Sequence, residues 1–172
     1  TISQWKYDRN KLTYEQTFYG HTISVNSVLV NKYNTLGGPI NQIVSCSYDR
    51  SIKAWNINGA DCIHSIVCTH PIWCLVWWKQ GHYLIAGCTH TSSDIYILNW
   101  NQFDFTSKEH GNIAATLQGH QGGIHCLLVD EVNDHLFSSG ADGVIIRWNL
   151  TLATQIKKFI GHEQGVRSIE KI

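Results

Sequence analysis

Apolar positions along this chain come in short runs rather than at helical spacing. Val25-Asn26-Ser27-Val28, Ile43-Val44-Ser45-Cys46, Ile52-Lys53-Ala54-Trp55 and Leu84-Ile85-Ala86-Gly87 are rich in β-branched and aromatic residues and are separated by Gly, Asn and Asp. Such runs, divided by turn chemistry, predict short antiparallel strands. No segment reads as a long helix, so the chain is expected to be all-β.

The runs repeat as a set. Gly20-His21, Val25 and Val28, Ile43 through Asp49, and Ile52 through Trp55 have counterparts in Gly119-His120, Ile124 and Leu127, Leu136 through Asp142, and Ile145 through Trp148. In both copies the strand's apolar residues follow the His by four and seven positions, and Asp precedes Trp by six. A degenerate third copy runs from Thr69-His70 through Cys74, Trp77 and Leu84 to Asp94 and Trp100, keeping the six-residue interval. A fourth opens at Gly161-His162 with Val166 and Ile169, and a leading fragment carries Trp5. A recurring supersecondary unit of this size signals a repeat architecture.

A Gly-His pair, an Asp turn and a closing Trp in each four-stranded unit resemble the WD-repeat family. The resemblance implies a β-propeller in which each unit is one blade. One departure is uniform: Trp5, Trp55, Trp100 and Trp148 are followed by Lys6, Asn56, Asn101 and Asn149, and Asn also serves a turn. The expected layout is two outer strands in 1–19, blade one in 20–67, blade two in 68–118, blade three in 119–160 and one inner strand in 161–172. That gives three complete blades with partial blades at both ends. At roughly 40 to 45 residues per unit, a ring of about seven blades needs about 300 residues. More blades are therefore expected in a longer native chain. The absence of Met and the Thr at the first position point the same way.

Composition narrows the function. With 43% hydrophobic and 15% charged residues the chain can bury a core. Thirteen basic and thirteen acidic residues cancel, so no global charge signature favours nucleic acid. No run of apolar residues approaches the ~20 of a membrane-spanning helix. Six cysteines lie mostly within apolar runs, which fits free buried thiols and an intracellular location, cytoplasmic or nuclear.

His21, Ser45 or Ser47, and Asp49 have the residue types of a nucleophilic triad. The same types recur as His120, Ser138 or Ser139, and Asp142, whereas a catalytic site occurs once per domain. The family resemblance instead implies a buried network in each blade: His21, Asp49 and Trp55; His70, Asp94 and Trp100; His120, Asp142 and Trp148; and His162 in the partial blade. Each buried polar group there needs a partner. Cys62, His64, Cys68, His70, Cys74, Cys88 and His90 invite a zinc reading, but no Cys-x-x-Cys pair occurs. No phosphate loop or nucleophile elbow is present. Neither enzyme activity nor a cofactor or metal is expected.

A protein-binding scaffold or adaptor within a multi-protein complex is the function that the resemblance implies, with substrate or peptide recognition, as in a ubiquitin ligase, as the alternative. Trp73 falls three residues after His70, where the other units place Ser24, Gly123 and Gly165, so a large aromatic stands among small residues. With Tyr48 and Arg50 it forms the candidate partner-binding patch, since aromatics and Arg dominate interface hot spots. Phe103 and Phe105, in a lengthened connection after Trp100, are a second candidate.

Overall fold

The computed structural model describes residues 1–31, 33, 42–89, 91–100 and 113–171; Phe103, Phe105, His90 and Asn101 lie outside them. Fourteen strands and no helix are formed among the described residues. Strands β1 (Ile2–Asp8) and β2 (Lys11–Phe18) form a two-stranded sheet. Blade one comprises β3 (Val25–Asn31), β4 (Gln42–Ser47), β5 (Ser51–Asn56) and β6 (Cys62–Val67). Blade two comprises β7 (Ile72–Trp78), β8 (Tyr83–Cys88), β9 (Ile95–Asn99) and β10 (Ile113–Leu117). Blade three comprises β11 (Ile124–Asp130), β12 (His135–Gly140), β13 (Ile145–Asn149) and β14 (Thr154–Phe159).

Within each sheet every strand pairs antiparallel with its neighbour in sequence, so local turns suffice to set the topology. The β7–β8 turn places Lys79 and Gln80 at φ 49° and 51°, a backbone whose twist matches that of a tight hairpin. Arg9 and Asn10 do the same between β1 and β2, at φ 46° and 66°.

The blades stack face to face, and alternation along each strand divides the core between the interfaces. Ile52, Ala54 and Ile66 of blade one meet Ile72, Leu75, Leu84 and Leu98 of blade two. On the opposite face of blade two, Ile85, Ile95 and Ile97 meet Ile124, Leu136 and Trp148 of blade three. Phe18 packs edge-on against Trp55, 5.9 Å between ring centroids, and ties the leading hairpin to blade one. Polar contacts close the second interface at its far end: Trp78 Nε1 donates to Asp134 Oδ1 at 2.9 Å, and Lys79 N donates to Glu131 Oε2 at 3.2 Å.

The run after His162 differs from expectation, because residues 161–171 include no strand. It still lies against blade three, where Val166 N donates to Gly140 O at 3.1 Å. An inner strand takes its ladder from the second strand of its own blade, and no such partner is present among the described residues.

Candidate functional site

Blades one and three each contain a buried polar chain. Trp55 Nε1 donates to Ser45 Oγ at 2.8 Å, and Ser45 Oγ lies 2.8 Å from His21 Nε2. His21 Nδ1 lies 2.9 Å from Asp49 Oδ2. In blade three Trp148, Ser138, His120 and Asp142 repeat the chain at 2.7, 2.8 and 2.9 Å. The indole can only donate, so the serine hydroxyl accepts from it and donates to Nε2, leaving Nδ1–H to donate to the carboxylate. Each carboxylate also accepts the backbone amide after its histidine, Thr22 N at 3.0 Å and Gln121 N at 2.8 Å. The network joins the loop before the inner strand to the second and third strands. The Ser45 and Ser138 hydroxyls are thereby each committed to an indole and an imidazole.

Blade two departs from the expected network, and the sheet register shows why. A bulge on the outer strand, Ile63 on β6 and Ile156 on β14, faces the step into Trp55 and into Trp148; the same bulge on β10, Ala114, faces the step from Ile97 to Leu98. Leu98, opposite Leu84, therefore occupies the place of Trp55 opposite Ile43, while Trp100 lies two residues beyond it. The connection from β8 to β9 is longer, and Ala86 stands at the level of Ser45 and Ser138. His70 Nδ1 lies 2.8 Å from Thr91 Oγ1 instead, and Asp94 accepts from Gln118. Trp100 packs edge-on against Trp77 at 5.5 Å within the interface to blade one. His162 is exposed.

The histidines of the two complete networks carry a pH dependence. Burial withdraws water from His21 and His120 and outweighs the pull of Asp49 and Asp142, so both lie below the ordinary value of 6.5. For Asp49, burial is outweighed by hydrogen bonds from Ser51, Thr22 and His21, which hold the carboxyl at about 2. As pH falls through the ordinary imidazole value, the unfolded chain binds more protons than the folded one, and stability declines. The urea midpoint is expected to be lower at about pH 5.5 than at about pH 7.5. A midpoint that stays level or rises on acidification would contradict this.

All six cysteines are free thiols. Burial raises the thiols of Cys46, Cys68, Cys74 and Cys88, with Cys68 and Cys88 reaching about 12, which disfavours the thiolate that zinc requires. Among the described residues no three His, Cys, Asp or Glu side chains converge on a common point.

Trp73 sits on a bulge between Ile72 and Cys74, and Asn26 and His125 occupy the same bulge in β3 and β11. Trp73 is thus the counterpart of Asn26 and His125, not of Ser24 and Gly123. The spacing from His70 misleads because the link to Ile72 is two residues shorter than from His21 to Val25. Each bulge residue leans towards the next blade: Asn26 Nδ2 donates to Ile72 O at 2.8 Å, and the Trp73 ring lies 6.4 Å from that of His125. Tyr48 meets Trp73 edge-on at 5.7 Å and 87°. The rings border a cleft of about 320 Å³, whose floor includes Thr89 and Gly123. A second space shares Trp73 and His125 and is also bordered by Arg167. Arg50 is exposed in the β4–β5 turn at φ 65°, where blade three has Gly143, and it does not line the cleft; Arg167 is the cation there. His125 and Arg167 were legible in principle, since each follows its Gly-His histidine by five residues, as Asn26 does.

Residues 12–56 and 111–149 match the family model described as WD domain, G-beta repeat. The solved WD40 beta propeller domain of Doa1 superposes with a TM-score of 0.73 at 17% identity, over 89% of this chain and 46% of that one. The chain belongs to the WD-repeat β-propeller family. The two matched stretches include the complete networks of blades one and three, and the first three strands of blade two, with Leu98 in place of the tryptophan, fall between them. An uncharacterised WD repeat-containing protein of Schizosaccharomyces pombe is 24% identical over 88% of this chain and 40% of its own length. The ribosome biogenesis protein YTM1 of Laccaria bicolor is 26% identical over 89% of this chain and 33% of its own. The chain thus spans less than half the length of each of these relatives.

Proposed function

We propose that this WD-repeat chain is part of a non-catalytic protein-binding platform inside the cell, one rigid subunit of a larger assembly. The observation that carries the reading is the Trp73 cleft. A rigid framework holds a partly exposed indole, 36% accessible, beside Tyr48, His125 and Arg167, the residue types that dominate binding hot spots. His21, Ser45 and Asp49, and likewise His120, Ser138 and Asp142, are committed to the repeated networks of blades one and three. The likeness to a ribosome biogenesis protein supports a place in a large complex and a nuclear location. Six unpaired cysteines accord with an intracellular setting.

Affinity purification of the native protein, wild type against Trp73→Ala, tests this. The variant is expected to lose at least one stoichiometric partner while its thermal melt changes little. An unchanged partner set would reject the cleft as the binding surface.

A further inference from the structure

The cleft has a definite charge character. Its lining residues among those described, including Tyr48, Trp73, Thr89, His125 and Arg167, bring aromatic surface and a cation but no carboxylate. The aspartates of the adjoining turns are committed elsewhere. Asp49 accepts from His21, Thr22 N and Ser51, and Asp142 accepts from His120, Gln121 N and Val144 N. Arg167 is exposed and forms no ion pair among the described residues. Arg167, His125 and Trp73 border one space, with the Trp73 and His125 rings 6.4 Å apart. Trp73 and His125 come from the same register position of successive blades, and Arg167 follows Val166, whose backbone N–H is anchored on Gly140 O of blade three.

We propose that this cleft binds an acidic peptide segment, with an apolar side chain stacked on Trp73 and a carboxylate paired with Arg167. This rests on the reading of the Trp73 end as the partner surface. An Arg–carboxylate pair supplies a directional, charge-assisted contact, and the indole supplies the buried apolar area. A basic segment would meet Arg167 with no lining carboxylate to offset it.

The test uses the whole protein and a fluorescein-labelled peptide, capped at both ends, in which Asp and Glu flank a single Phe. A control peptide replaces every acid with Lys. Fluorescence anisotropy is expected to show binding of the acidic peptide alone, weakened by salt. Arg167→Glu should weaken it about tenfold or more and shift preference towards the Lys peptide, while the melting temperature stays level. Trp73→Ala should weaken it as well. Failure of the acidic peptide to bind, equal binding of both peptides, or indifference to Arg167→Glu would overturn the inference. So would Arg167-dependent binding of an oligouridine RNA in place of the peptide. If Trp73→Ala nonetheless abolishes capture of the native partner, the partner surface stands and only its acidic specificity falls. If capture is unchanged, the surface itself is rejected.

Discussion

Replacement of Trp148 by alanine is expected to lower the unfolding free energy by about 3–5 kcal/mol, the range for deleting a buried indole. The side chain is 2% exposed and packs with Leu136, Ile146 and Leu150 in the interface to blade two. Its ring also covers Gly119, where an added Cβ would approach within 2.9 Å, so neighbouring residues cannot readily fill the void. The indole N–H is the first donor of the blade's polar chain. Trp148→Phe separates these contributions: it keeps most of the ring volume, removes the N–H, and is expected to cost about 1–2 kcal/mol. Urea denaturation of the three proteins measures both. A loss below about 1 kcal/mol for the alanine variant would show that blade three does not depend on this packing.

Asp142→Ala has the second largest expected effect, about 2–4 kcal/mol. It strands three donors at once: His120 Nδ1–H, Gln121 N–H and Val144 N–H. Asp94→Ala, at the residue of blade two that the sequence spacing equates with Asp142, is expected to change stability by no more than about 0.5 kcal/mol. The side-chain bond that Asp94 accepts comes from exposed Gln118. Thermal melts of the two variants discriminate directly, and equal losses would mean that Asp94 carries the same load despite its different contacts.

That contrast shows where the sequence was informative. Alternation and turn residues were enough to read the strands and their order, because each strand pairs with its neighbour in the chain. The networks of blades one and three were legible because their His-to-strand and Asp-to-Trp intervals are identical. Blade two was misleading for a specific reason. Asp94 and Trp100 kept their mutual interval while both moved two positions relative to the ladder, and counting residues does not reveal such a joint slide. Only the partners across the sheet, Leu98 facing Leu84, show it. Arg167 was overlooked for the opposite reason: its position was regular, but attention to residues that break the repeat passed over one that follows it.

The bulge at the start of each inner strand has a consequence for how such chains diversify. A bulge residue is surplus to the ladder, so its side chain can change while hydrogen-bonded pairs on either side remain in step. Asn26, Trp73 and His125 already show three unlike solutions at one structural address. Exchanges at these addresses therefore alter the surface that a blade presents without renegotiating the ladder beneath it.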